Sequence, residues 1–150
     1  MDRLDRQIIG HLRDDGRISA TELARRLPLS VSATGERLRT LRRSGVIRRF
    51  TAELDLAAIG RPIEAFVEVR FAAGVGQAEI DRAIDGLAMV TDALHLTGRY
   101  DVMLRVATAD VAELDRLLIE LKEDGLAEET NTRLILRTMD GFPRAPEPVD

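Results

Sequence analysis

The chain has no cysteine, only two histidines, and no uninterrupted apolar run near the ~20 residues a membrane-spanning helix needs. Without cysteine there is no disulfide framework and no thiolate chemistry, a composition that suits a reducing cytoplasm. His11 and His95 lie in different halves of the chain, so no metal-ligand set or histidine-based catalytic pair is visible. The opening MDRLDRQ alternates charges and has no apolar signal core. These absences predict a cytoplasmic protein that is not an enzyme and carries no cofactor or metal.

What is present is a strong asymmetry of charge. Residues 1 to 50 hold 12 Arg against 6 acidic residues, a net of +6; residues 51 to 150 hold 10 basic against 20 acidic, a net of −10. The acidic pI near 5.3 therefore hides a basic block that would attract polyanions and an acidic block that would repel them. At 150 residues the chain can bury one good core or two small ones, and the change of charge favours two. Asp55, Gly60 and Pro62 mark a linker over residues 55–62, between domains at 1–54 and 63–139. The Pro-rich end, 140–150, predicts an extended or disordered tail.

In the basic block, Leu4, Ile8 and Leu12 recur at four-residue steps after Asp2, a capping residue, and predict a first helix ending at Gly16. Ser19 with Glu22 has capping-box spacing, and Ala20, Leu23, Ala24 and Leu27 follow at helical spacing until Pro28 ends the run. Ser30 can cap the next helix, with Val31, Leu38 and Leu41 on its apolar side and Ser44-Gly45 as its stop. This is a helix-turn-helix. Val46 to Leu54 alternates and predicts a hairpin wing with Arg48 and Arg49 at its base.

At about 100° per residue, the face of the second motif helix opposite its apolar side carries Ser32, Ala33, Glu36, Thr40 and Arg43, flanked by Arg37 and Arg39. A recognition helix meets base edges with its N-terminal half and phosphates with later residues. Ser32 can then bond to several bases, Ala33 can meet a thymine methyl, Glu36 can accept from a cytosine amino group, and Arg37 can pair with guanine. Arg39, Arg42, Arg43 and the Arg25-Arg26 pair suit phosphates, Ser30 is a further candidate for DNA contact, and Arg48 and Arg49 either meet phosphate or only solubilise an edge strand. The competing reading is an ordinary solvated helix face, which the +6 block argues against.

In the acidic block, IEAFVEVRF at Ile63 to Phe71 alternates as a half-buried strand does. Helical spacing follows at Gln77 to Met89 and Asp110 to Asp124, with strands at Val90 to Leu96, Tyr100 to Ala107 and Thr130 to Thr138. The order βαββαβ is that of the ferredoxin-like fold, so the whole chain is α+β, a winged helix-turn-helix followed by a ferredoxin-like domain. Two helices cover one sheet face only. The other face, for which Phe66, Leu94, Met103 and Arg105 are candidates, calls for a second copy.

The combination of LDRQIIGHLRDDGRIS at Leu4 to Ser19, ELARRLPLS at Glu22 to Ser30, ERLRTLRRSGVIRRFTAELD at Glu36 to Asp55 and TGRYDVMLRV at Thr97 to Val106 resembles the Lrp/AsnC (feast/famine) transcriptional regulators. The resemblance runs from residue 2 to about 139. It implies a cytoplasmic, nucleoid-associated regulator that binds double-stranded DNA, forms homodimers that commonly assemble into octamers, and often takes an amino-acid effector between dimers. Carried over by position, Val31 to Ser44 is the recognition helix, with Arg37 at the family's most regular arginine. Gly98-Arg99-Tyr100-Asp101 is the effector loop, and Thr130 and Thr132 are the threonine pair of the last strand. Backbone amides of such a loop can bind a carboxylate, while Asp101 can meet an α-ammonium or pin the loop itself.

Three departures stand out. Arg99 replaces an acidic residue, which could repel a basic side chain, favour an acidic ligand, or remove amino-acid binding. Thr34 replaces an apolar core residue, and Gly35 inside the recognition helix costs near 1 kcal/mol, which points to a helix that is either less rigid or packed unusually closely there. Two alternatives follow: an effector-independent DNA-binding regulator, and an enzyme subunit like those of siroheme decarboxylase, which share this two-part architecture. The second would need a haem-like pocket built with His95 and nearby arginines.

Overall fold

The computed structural model describes residues 1–123 and 127–139, so the expected tail at 140–150 lies outside the described residues. The chain divides into two compact units, one covering Met1–Glu53 and the other Leu54–Thr138.

The first unit holds α1 (Arg3–Asp14), α2 (Ala20–Arg26) and α3 (Val31–Arg43). Ser19 Oγ accepts from the Glu22 amide at 3.1 Å, and Ser30 Oγ from the Ala33 amide at 3.2 Å, so each helix starts where its cap predicts. The Ser19-Glu22 box is only half made, because the Glu22 carboxylate turns to Arg25 and Arg26. The complete box is at α1: the Asp5 amide donates to Asp2, and the Asp2 amide to Asp5, both at 2.9 Å. Leu27 has extended angles ahead of Pro28, as the clash with a proline ring requires. Gly45, at φ 77°, closes α3 in the left-handed region.

Ile8, Leu23, Leu27 and Leu41 form the buried core of this unit, and Leu12, Ile18, Leu38 and Ile47 pack against it. Burying each such side chain stabilises by about 1.5–3 kcal/mol. Val31, expected on the apolar side, is exposed; Thr34 takes the place at the core instead. Its hydroxyl donates to the Ser30 carbonyl at 3.0 Å, which makes its burial affordable. A Cβ on Gly35 would sit 3.7 Å from Arg39 Nη1, ordinary contact distance, so close packing does not explain this glycine.

The expected wing at Val46 to Leu54 does not form; among the described residues no strand lies between α3 and Ile63. Val46, Phe50 and Leu54 are all exposed, so the alternation has no buried face to hold it, and no turn-forming pair sits within it. A two-stranded ribbon with neither is marginal at best. Phe50 lies under the Arg42 guanidinium instead, 5.9 Å from ring centre to Cζ. Residues 55–62 form a folded turn of the second unit: the Asp55 carboxylate accepts from the Ala58 amide at 3.1 Å, and Arg61 donates to the Ala107 carbonyl at 2.9 Å.

The second unit runs β1 (Ile63–Phe71), α4 (Gln77–Asp85), β2 (Val90–His95), β3 (Val102–Thr108), α5 (Val111–Glu123) and β4 (Ala127–Leu134). All neighbours pair antiparallel in the order β2-β3-β1-β4, the ferredoxin-like arrangement. Ala65, Val67, Val69 and Phe71 alternate onto the face that Ile80 and Ile84 of α4 and Leu114, Leu117 and Leu121 of α5 cover. α4 ends at Gly86, earlier than its periodicity predicts, and β4 begins three residues before the expected Thr130. The pairing sets that start: Ala127 pairs with Phe71 and is buried, so Glu128 and Glu129 belong to the strand, the first exposed and the second half-buried.

Among the described residues of the second unit, both helices pack on one sheet face and none covers the other. Phe66 pairs with Arg105, and Met103 with both Glu68 and Leu94, so the four residues predicted there share that face. Arg105 is bound to Glu64 at 2.8 Å, and Glu68 accepts from Arg133 at 3.0 Å.

Candidate nucleic-acid interface and small-molecule loop

Helix α3 is held to the first unit through Thr34, Leu38 and Leu41, and the remaining positions follow from that anchoring. Ser32, Glu36, Thr40 and Arg43 are exposed and Ala33 is half-buried, which places the five predicted groove-facing positions away from the core. Ser30 is committed to the cap.

Arg25, Arg26, Arg39 and Arg43 are already paired. Glu36 accepts from Arg39 Nη2 at 2.7 Å and from Arg43 Nη2 at 3.3 Å, and Arg43 reaches Thr40 Oγ1 at 3.3 Å. The Arg39 hydrogen bond holds the Glu36 carboxyl below the ordinary carboxylate range. Glu22 binds Arg25 at 3.2 Å and Arg26 at 3.1 Å, and these bonds, Arg26 foremost, lower its pKa likewise. Such exposed pairs are worth little and exchange readily for phosphate. Arg48 and Arg49 are exposed on the irregular segment that replaces the wing.

Arg37 is different. Its Nη1 lies 2.7 Å from Asp2 Oδ2 and 2.7 Å from Asp5 Oδ1, both at the start of α1. Its side chain is 30% exposed, against 65% and 73% for Arg39 and Arg43. The Asp5 and Asp2 hydrogen bonds raise its pKa, and the Asp5 amide, followed by Arg37, lowers that of Asp2. The sequence offered no sign of this contact, since its partners lie 35 and 32 positions away.

In the second unit, the loop between β2 and β3 contains Gly98 at φ 113°, a conformation only glycine adopts without strain. Asp101 pins this loop to β1. Its Oδ2 accepts from the Phe71 amide at 2.8 Å, its own amide donates to the Val69 carbonyl at 2.9 Å, and its carbonyl accepts from the Leu96 amide at 2.8 Å. Of the two roles the sequence left open for Asp101, the structure places its carboxylate in the pinning one.

Arg99 Nη2 lies 2.5 Å from Glu129 Oε1, the Tyr100 hydroxyl donates to the same oxygen at 3.2 Å, and Arg70 binds the other oxygen at 3.2 Å. Glu129, which sequence reasoning missed, thus neutralises the unusual Arg99. Thr130 and Thr132 pair with Val69 and Val67 and share the helix-covered face, whereas Glu129 pairs with Arg70 on the other. Within one chain, then, Arg99 and Tyr100 meet Glu129 and not the threonine pair. His95 sits at the end of β2 against Asp81 at 3.2 Å and Gln77, both on α4. Among the described residues no group of histidines and carboxylates could hold a metal ion.

Comparison with known proteins assigns both units. Residues 1–48 match the winged helix-turn-helix DNA-binding family, and residues 64–143 match the Lrp/AsnC ligand binding domain. The chain is 32% identical over 138 residues to the HTH-type transcriptional regulator FL11 of Pyrococcus horikoshii, covering 92% of this chain and 91% of the relative. It is 32% identical over 122 residues to the leucine-responsive regulatory protein of Salmonella typhimurium, covering 80% and 74%. Among solved structures, the leucine response regulatory protein LrpA of Mycobacterium tuberculosis superposes with a TM-score of 0.84 at 27% identity, covering 99% of this chain and all of that one.

Proposed function

This chain belongs to the Lrp/AsnC family of DNA-binding transcriptional regulators, and from that premise we propose that it reads duplex DNA through α3 and answers to an amino acid or a related small molecule taken up between its C-terminal domains. The observation that carries the DNA reading is the outward face of α3. Ser32, Ala33, Glu36 and Thr40 lie on it and are assigned to base edges, and the exposed Arg39, Arg43, Arg25, Arg26, Arg48 and Arg49 are assigned to phosphates. Two relatives are named for a response to leucine, which supports an amino-acid effector here. The assembly is a homodimer formed across the open sheet face, where Phe66 and Met103 supply apolar surface, and it extends to a higher oligomer such as an octamer. The protein works in the cytoplasm, on the nucleoid.

The effector lies at the loop Gly98-Arg99-Tyr100-Asp101, with Thr130 and Thr132 reaching it from a neighbouring dimer. Footprinting the full chain on fragments of its own genome, with and without each common amino acid, tests both parts. Protected sites whose occupancy shifts with one amino acid support the reading. Protection indifferent to all of them leaves an effector-independent regulator, and no protection anywhere removes the DNA claim.

A further inference from the structure

We propose that Arg37 is a positioning residue rather than a base reader, and that with Asp2 and Asp5 it forms a clasp that sets the orientation of α3 on α1. This inference rests on the DNA-binding reading of α3 and reassigns one residue within it.

The two carboxylates divide their oxygens in the same way. Asp2 gives Oδ1 to the Asp5 amide and Oδ2 to Arg37, while Asp5 gives Oδ2 to the Asp2 amide and Oδ1 to Arg37. The capping box therefore fixes both side chains before Arg37 arrives, and both are aimed at the same Nη1, whose two protons satisfy them together. α1 is then held over its middle turns by Ile8 in the apolar core, with Ile9 and Leu12 packed against it, and at its first turn by this charged knot. The knot fixes the end of the helix that the apolar contacts do not reach.

Electrostatics separates this from a spectator role. Two carboxylates beside a recognition helix oppose phosphate binding, so neutralising either would strengthen DNA binding if nothing depended on them. A clasp predicts the reverse. It also closes a bidentate guanine contact through Nη1 while it holds.

The test uses the full chain and a duplex carrying a selected binding site, together with every single-base variant of that site. Arg37→Ala, Asp5→Asn and the double variant each weaken binding by roughly three- to tenfold, with the double no worse than either single, and all by the same factor across the base variants. Arg37→Lys, which can still donate to both carboxylates, restores most of the affinity. The inference is overturned if Arg37→Ala flattens preference at one base pair, or if Asp5→Asn leaves binding unchanged or tighter. Thermal melting without DNA gives an independent reading: the Arg37 and Asp5 losses must be coupled, and additive losses overturn the clasp. Should Arg37→Ala not fold, Asp2→Asn and Asp5→Asn carry the same comparison. A wild-type chain that binds no duplex fails the DNA reading itself, and the melting cycle still decides the clasp.

Discussion

Glu36 and Arg39 are bound to one another across one turn of α3, Oε2 to Nη2 at 2.7 Å, and the other oxygen of Glu36 holds Arg43 at 3.3 Å. One exposed carboxylate thus keeps two arginines of the DNA face occupied in the free protein. Glu36→Ala releases both, so affinity for a scrambled duplex rises a few-fold at low salt, its salt dependence steepens by about one to two charges, and discrimination in favour of the true site falls. Titration of both duplexes at several salt concentrations checks this. Unchanged or weaker binding to the scrambled duplex would mean that Glu36 restrains nothing.

Removing the Asp101 carboxylate orphans the Phe71 amide in a half-buried position. Asp101→Ala should cost about 1 to 3 kcal/mol of the second unit's stability and abolish any effect of an amino acid on assembly, while Asp101→Asn, which keeps an acceptor, costs less. Calorimetric melting and sedimentation measure the two effects. A variant that melts like the wild type contradicts the pinning role.

Gly35 has helical neighbours, no positive φ and room for a methyl group at ordinary contact distance from Arg39 Nη1. Gly35→Ala is therefore expected to stabilise the first unit by about 0.5 to 1 kcal/mol, through the unfolded chain's lost freedom. Urea denaturation reads it. A loss of stability would show that α3 needs flexibility at this turn for its fold.

Acid should loosen the first unit. The Asp2 carboxyl is held below its ordinary range, chiefly by the Asp5 amide and then by Arg37, and Glu22 and Glu36 are lowered by their arginines. A group with a lowered folded pKa binds fewer protons folded than unfolded between its two values. Its stabilising contribution is present above the ordinary carboxylate range and is lost as pH falls through the folded value. Melting temperature should be level near neutrality and fall below about pH 4, with a shallower fall in Asp2→Asn. An identical acid limb in that variant would exclude Asp2 as a contributor.

The local rules made much of this molecule legible in advance. Ser19, Ser30 and Asp2 mark helix starts because a cap needs only a few neighbouring residues, and β1 shows itself because its two faces meet opposite environments. Val46 to Leu54 does not make the expected strands because alternation signals a strand only when a whole face is buried, and here Ile47 alone packs on the core. β4 was misplaced because its register is set by β1, nearly 60 positions away, rather than by its own pattern. The same holds for function: the outward face of α3 follows from helical periodicity, whereas the Arg37 clasp and the Glu129 partner of Arg99 are long-range charge pairs that no spacing rule reveals.

Sequence-specific DNA binding by the face of α3 can be measured by selecting duplexes from a random pool with the full chain. The affinity of the selected and scrambled duplexes is then compared across salt. One enriched site is expected, bound on the order of a thousandfold or more tighter than the scrambled duplex, with log affinity falling linearly against log salt for both. A pool that yields no common site, or a selected duplex bound no better than the scrambled one, would contradict it.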